Sequence, residues 1–342
     1  MRRLLILLAI SLGAFFIFSR VAEVEQVIDS FREGDPAWLA LAVVVQFVWM
    51  LNVTASFWII YRILGLREQF FHLGLVAMSA QFVSVVAPSA GMGGMAVLIA
   101  DGKKRGLRPG RVTTGGGLFV FFEQTSLLAV VLLGLFLLFR LNQLSTSSVL
   151  AVLVLAGVAL GTGLVLVMGM RSPALLSNVL TRLGNLVNRM LHPILRRNSV
   201  DVSRALPFAE DVYEGLQVVR KSPVKLLFPA LLAFTSKALL ITILGLIFVA
   251  FGQPFTITML IASFSIGYLF YIVSPTPSGI GFVEGAMTLV LTSLGLSLAI
   301  SVVITLVFRG VTFWLTVLYG MLAIRWVGIE QQPAAQSTES FS

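Results

Sequence analysis

The main feature of the chain is a series of apolar stretches that recurs from Leu4 to Val327, separated by short polar loops. About 20 apolar residues in helical conformation match the hydrocarbon thickness of a bilayer, so such stretches predict membrane-spanning helices. The pattern therefore predicts an all-α, polytopic integral membrane protein. Six full spans are expected, at about 4–18, 37–60, 113–139, 149–170, 226–251 and 299–324.

The first apolar stretch, 4–18, has two interpretations. Met1-Arg2-Arg3 precedes it and Val21-Ala22 follows it, an order that resembles a secretory signal peptide with a weak cleavage site. A retained spanning helix is favoured, because the stretch has a counterpart in the second half of the chain.

Two further apolar blocks, 70–100 and 255–294, are broken in the middle by Pro and Gly. The first break runs from Pro88 to Gly94 and the second from Ser274 to Gly281. A Pro/Gly tip inside an apolar block predicts a re-entrant helical hairpin, which enters and leaves the membrane on one face. Two short full crossings are the alternative for each block.

The charged residues predict which loops face the cytoplasm, where Lys and Arg accumulate. Basic residues flank the first broken block, the linker 171–225 is also basic, and the loop 20–35 is acidic. Both termini are therefore predicted inside, and the tail 331–342 has the composition of a disordered segment. The linker is expected to contain one interfacial amphipathic helix. Its predicted apolar face consists of Leu176, Val179, Leu183, Leu186, Met190 and Ile194.

Composition excludes several classes of protein. Of the 342 residues, 58% are apolar and 11% are charged, and the mean hydropathy of +0.98 excludes a soluble enzyme. The net charge of +9 is attributed to membrane topology and anionic lipid rather than to nucleic acid. Cys is absent, so no thiolate metal site is possible. No metal, no cofactor and no enzymatic activity are predicted.

The two halves of the chain show an internal similarity. Phe122-Glu123 through Gly134 aligns without gaps on Phe308-Arg309 through Gly320, and Ala87-Pro88-Ser89 matches Thr276-Pro277-Ser278. The transmembrane domain, 1–330, is thus predicted to contain repeat one at 1–140 and repeat two at 149–327. The charge pattern makes these repeats inverted, an arrangement typical of transporters with a shared midplane site. Chance similarity between apolar segments is the alternative.

Four ionisable residues lie well inside apolar segments, where each costs about 2.5–3.5 kcal/mol at the bilayer centre. Glu123 and Arg309 occupy equivalent repeat positions and are expected to meet at the bundle centre, either as a structural ion pair or as a headgroup or proton site. Lys237 is a candidate partner for Glu284 or for a lipid phosphate.

The hairpin tips supply a second kind of candidate site. A new half-helix is expected to begin after Pro88 and after Pro277, and the free N–H groups at such an end attract phosphate. Ser278, Gly279 and Gly281 would then let a headgroup approach the backbone. The alternative is that these glycines only permit tight turns and helix contacts.

The residues Pro277-Ser278-Gly279-Ile280-Gly281-Phe282-Val283-Glu284, followed by Phe308-Arg309-Gly310-Val311-Thr312-Phe313-Trp314, resemble a block of the lysylphosphatidylglycerol synthase transmembrane, or flippase-like, family. Gly91-Met92-Gly93-Gly94 with Phe122-Glu123 resembles another block of that family. The resemblance implies a bacterial or archaeal inner-membrane protein that moves polar-headgroup lipids between leaflets. The soluble aminoacyl-transfer domain of the full synthases is not seen, so aminoacyl-lipid synthesis is not implied.

These observations together predict a lipid flippase or transporter for anionic or phosphate-bearing lipids. Its expected partners are membrane lipids and not nucleic acid. The alternative function is a non-transporting scaffold or assembly factor for envelope lipid synthesis. A scaffold does not need buried charges at symmetric positions, whereas a transporter does.

Overall fold

The computed structural model describes residues 32, 34–86, 92–142, 146–195, 205–221, 223–274 and 276–327. All regular structure within these ranges is helical. The predicted span 4–18, the tip residues 87–91 with Pro88, and the tail 331–342 lie outside the described residues. In chain order the helices are α1 (Pro36–Ile63), α2 (Phe70–Val86), α3 (Met92–Lys104), α4 (Pro109–Arg140), α5 (Thr146–Arg171), α6 (Pro173–Leu195), α7 (Ala205–Lys221), α8 (Leu227–Ala250), α9 (Ile257–Val273), α10 (Phe282–Ser293), α11 (Leu298–Arg309) and α12 (Leu315–Val327).

Within the described residues, five long apolar segments are able to cross a bilayer, which confirms the prediction of a polytopic membrane protein. Three are the single helices α1, α4 and α5, and a fourth is α8 with a 3₁₀ turn, Pro223–Leu226, before it. The fifth runs from α11 into α12 through one π-turn, Gly310–Trp314. These segments agree with five of the six predicted spans.

The two broken blocks each form a pair of short helices that pack on one another, α2 with α3 and α9 with α10. Helix α3 has 13 residues and α10 has 12 residues. At 1.5 Å per residue these rise about 18–20 Å, which is less than the roughly 30 Å of the hydrocarbon core. Neither helix is therefore long enough to cross the bilayer alone.

Capping interactions fix where α1 begins and where it meets α8. Asp35 accepts a hydrogen bond from the N–H of Ala37 at 2.8 Å, and Pro36 occupies the first turn, where its missing N–H is not needed. The N–H of Asp35 donates to the carbonyl of Ala250 at 2.8 Å. The beginning of α1 and the end of α8 therefore lie at the same edge of the bundle.

The core is arranged around the contact between α1 and α8, which includes a hydrogen bond from the Trp49 indole to Ser236 at 2.9 Å. Helix α4, from the first half of the chain, packs on α9 from the second half. Conversely, α12 from the second half packs on α2 from the first. The span that follows each pair of short helices thus packs on the first helix of the pair in the other half of the chain.

The described part of the linker 171–225 contains two amphipathic helices, α6 and α7, where one was predicted. Leu176 of the predicted apolar face is buried. Helix α7 was missed, although its buried residues recur at helical spacing. Arg108 at the start of α4 donates to Glu214 of α7 at 2.8 Å, so the linker is fastened to the bundle. The buried side chains of α7 are Ala209, Val212, Leu216 and Val219.

Candidate functional site

A cavity of about 300 Å³ lies in the middle of the bundle, bordered by α1, α2, α4, α8, α9, α10, α11 and α12. Its walls are mostly apolar and aromatic, with Phe82 and Tyr268 among them, and they include the charged residues Glu123, Lys237 and Arg309. A volume of this size is at the lower end of those that hold small-molecule ligands.

The first charged element of the cavity is an ion pair between α4 and α8. The Nζ of Lys237 donates to the Oε2 of Glu123. The Lys237 side chain is 6% exposed and that of Glu123 is 21% exposed, so the carboxylate is the more exposed partner. Each charge compensates the other, which offsets part of the cost of placing either in an apolar environment.

The second charged element joins α11 to α10 and to the turn before α10. The Nε of Arg309 donates to Glu284 Oε1 at 2.5 Å, and its Nη2 donates to the carbonyl of Ser278 at 3.1 Å. The guanidinium also lies over the Phe313 ring, with Cζ 4.2 Å from the ring centroid. A planar guanidinium suits this combination of two directed hydrogen bonds and a stacked ring.

The turn before α10 holds its shape through its own side chains. The N–H of Gly281 donates to Glu284 Oε2 at 2.6 Å, and the hydroxyl of Thr276 donates to the carbonyl of Ile280 at 2.9 Å. Ser278 and Gly279 adopt left-handed φ values of 59° and 72°. The Glu284 carboxylate therefore occupies the N-terminus of α10, the position predicted for an anionic headgroup.

Gly279 is required by the local structure. A Cβ at this position would lie 2.6 Å from Val283 Cγ2 and 3.0 Å from the backbone Cα of Tyr271. At Gly281, where φ is 81°, no atom of the described residues lies within 4 Å of such a Cβ. The tight-turn interpretation thus accounts for Gly279, and a headgroup role for Ser278, Gly279 and Gly281 stays a prediction.

Two predicted pairings of the buried charges were wrong, whereas the alternative of a lipid phosphate as the partner of Lys237 stays a prediction. Glu123 pairs with Lys237 rather than with Arg309, and Glu284 pairs with Arg309 rather than with Lys237. The repeat alignment places Glu123 and Arg309 at equivalent positions, and both do line one cavity. Their partners follow from helix rotation and from the turn at Ser278, neither of which the alignment specifies.

A polar contact that was not predicted joins α1 to the π-turn and to the beginning of α12. Gln46 is fully buried, and its Nε2 donates to Thr316 Oγ1 at 3.0 Å and to the carbonyl of Thr312 at 3.4 Å. The available signal was an amide side chain inside an otherwise apolar span. The π-turn itself closes with the N–H of Leu315 bonded to the carbonyl of Gly310.

A cluster of polar side chains joins the beginning of α2 to the end of α3. The Nε2 of His72 on α2 lies 3.0 and 3.1 Å from the carboxylate oxygens of Asp101 on α3. Arg105 bonds Glu68 at 2.9 Å and lies 3.9 Å from Asp101. Within the described part of the chain no three His, Cys, Asp or Glu residues are grouped so as to hold a metal ion.

Comparison with known proteins agrees with this architecture. The chain is 23% identical, over 331 residues and 95% of each chain, to a UPF0104 membrane protein of Methanothermobacter thermautotrophicus. Residues 4–320 match the family described as the lysylphosphatidylglycerol synthase TM region. Because this match covers nearly all of the helical bundle, the chain belongs to the lysylphosphatidylglycerol synthase transmembrane family.

Proposed function

We propose that this multi-pass membrane protein moves lipids with polar, phosphate-bearing headgroups between the two leaflets of a prokaryotic inner membrane, without converting them chemically. The observation that carries the proposal is the central cavity with its two ion pairs. Buried charges at membrane depth are costly and commonly mark the path of a polar substrate. Membership of a family described by a lipid synthase supports a role with lipids.

The ion pairs supply positions at which a headgroup exchanges partners. A phosphate that enters the cavity interacts with Lys237 and Arg309 as they loosen from Glu123 and Glu284. The paired arrangement keeps the empty cavity electrically balanced, so neither cation is left uncompensated between transport events.

The proposal includes two inverted repeats and two re-entrant hairpins, with both chain termini in the cytoplasm. The reciprocal packing of α4 on α9 and of α12 on α2 supports the repeats. The 12- and 13-residue lengths of α10 and α3 support hairpins rather than full crossings. Such halves can rock about a shared midplane cavity and expose it to each leaflet in turn.

The test is a leaflet-accessibility assay in proteoliposomes that contain a fluorescent anionic phospholipid. The parent should accelerate the arrival of the lipid in the opposite leaflet, whereas Glu123→Gln and Lys237→Gln should lose most of this acceleration. Lys221→Gln, which changes an exposed cation at the end of α7, is the matched control and should behave as the parent. A folded parent that does not accelerate lipid movement would favour the scaffold alternative.

A further inference from the structure

Two helix contacts in the bundle, each of which joins the two halves of the chain, have a similar geometry. A Cβ on Gly320 of α12 would lie 2.6 Å from the carbonyl oxygen of Met78 and 2.6 Å from the Cβ of Phe82 on α2. A Cβ on Gly134 of α4 would lie 3.3 Å from the carbonyl oxygen of Ile261 and 2.5 Å from the Cβ of Ser265 on α9.

In both contacts the glycine therefore faces the carbonyl oxygen of one residue on the neighbouring helix and the Cβ of the residue four positions later on that helix. Gly134 and Gly320 are also equivalent in the alignment of the two halves. We name them the α4–α9 seam and the α2–α12 seam. Glycine is needed at each, because a side chain there would push the two helices apart.

The central cavity lies between the two seams. Along α4 its lining residues fall at 119–127, before Gly134, and along α11, the π-turn and α12 they fall at 308–317, before Gly320. In the proposed topology α4 runs outward and the last span runs inward. The α4–α9 seam then closes the outer side of the cavity, and the α2–α12 seam closes the inner side.

An apolar groove of about 450 Å³ adjoins the α2–α12 seam on its inner side. Met78 borders both the seam and the groove, so the two are continuous. Phe71 and Trp326, which line the groove, are 80% and 82% exposed, and this surface faces lipid in the proposed topology. Other lining residues are Phe47, Met50, Leu75, Tyr319 and Leu322.

We propose that this groove binds the acyl chain of a membrane phospholipid and that the α2–α12 seam is the lateral entrance through which its headgroup reaches the cavity. The groove offers an apolar surface beside a path to the charged residues, which matches the two ends of such a lipid. The α4–α9 seam is the corresponding opening toward the outer leaflet. This inference rests on the proposed function.

The groove is tested with the whole chain in phosphatidylcholine–phosphatidylglycerol vesicles that contain a phospholipid with a diazirine in its acyl chain. After irradiation, adducts mapped by mass spectrometry should be several-fold enriched at Leu75 and Tyr319. The reference is the surface of α5, where Leu160 and Leu164 are 73% and 61% exposed. Equal labelling of both surfaces, or a cross-link from Leu75→Cys to a second copy of the chain, would overturn the assignment.

The seam is tested with Gly320→Val, which should hold α2 and α12 apart and extend the adducts into the cavity at Phe82 and Thr316. Gly161→Val on α5 is the control and should keep the parental pattern, since none of the described part of the chain lies within 4 Å of a Cβ there. If the adducts in the Gly320→Val variant stay confined to the groove, the α2–α12 seam is not the entrance to the cavity.

A second variant covers the case in which Gly320→Val does not fold. Leu322→Trp adds bulk inside the groove without touching the seam, and it should remove most adducts at Leu75. Unchanged labelling of Leu75 would refute the acyl-chain site. Adducts form whether or not lipid is transported, so the two proposals can fail separately. If the parent is labelled in the groove but moves no lipid, only the proposed function is refuted. If the parent moves lipid but is labelled uniformly, only the groove is refuted.

Discussion

At the scale of residues, the site consists of four charges arranged as two separate pairs. Three of them, Glu123, Lys237 and Arg309, line the central cavity, and Glu284 holds Arg309 from outside it. Removing one member of a buried pair leaves an uncompensated charge, which costs about 3–5 kcal/mol, whereas removing both members costs less. The pairing therefore determines which double substitutions destabilise the protein less than the corresponding single substitutions do.

We expect Glu123→Gln and Lys237→Met each to lower the thermal stability of the detergent-solubilised protein by an amount equivalent to about 3 kcal/mol. The double variant should be more stable than either single variant, because no unpaired charge remains. Glu123→Gln combined with Arg309→Gln is the comparison, and its two effects should add. Strong coupling of Glu123 to Arg309, with none to Lys237, would contradict the pairing.

At the scale of elements, the turn that leads into α10 sets the position of Glu284 and hence of Arg309. Gly279 and Gly281 both have positive φ, but only Gly279 is crowded by neighbouring atoms. Substitutions at the two glycines therefore distinguish the cost of backbone strain from the cost of steric contact. Gly285, within α10, has neither constraint.

Gly281→Ala should destabilise the protein by about 1 kcal/mol, because a Cβ disfavours its left-handed backbone but meets nothing. Gly279→Ala should cost clearly more, since its Cβ also meets Val283 and the backbone of Tyr271. Gly285→Ala should be neutral or slightly stabilising. Thermal unfolding of the three variants checks the order, and equal losses at Gly279 and Gly281 would contradict it.

The spans were predictable and the contacts between them were not. Apolar length reports directly on bilayer crossing, so the bounds of α1 and α8 lie close to the predicted ones. The partner of Glu123 depends on the rotation of α4 and α8, and one residue turns a helix by about 100°. Helix α7 was not predicted, because Glu210, Asp211 and Glu214 lower the mean hydropathy of the segment and make its apolar face less apparent.

At the scale of the whole molecule, the arrangement depends on which helix ends share a side of the membrane. The backbone bond from Asp35 to Ala250 places the beginning of α1 beside the end of α8. His72 and Asp101 likewise place the beginning of α2 beside the end of α3. The proposed topology puts the first edge outside and the second inside.

The absence of native Cys makes this topology testable by single-Cys labelling. Gln253→Cys and Asn142→Cys should react with a membrane-impermeant maleimide added to the outside of cells. Lys103→Cys and Lys221→Cys should react only after the membrane is opened. Labelling of Lys103→Cys and Asn142→Cys from the same side would contradict both the first hairpin and the inverted repeat.

The π-turn at Gly310–Trp314 gives the last span a mechanical property that a continuous α-helix lacks. It stands between Arg309, which is bound to Glu284, and Gly320, which rests on α2. A widened turn has weaker internal bonding, so bending concentrates there. Gly320 lies six residues beyond Trp314, the end of this turn, so the part of α12 up to Gly320 acts as a lever of about 9 Å. We expect α12 to bend away from α2 about this hinge while Arg309 stays bound to Glu284.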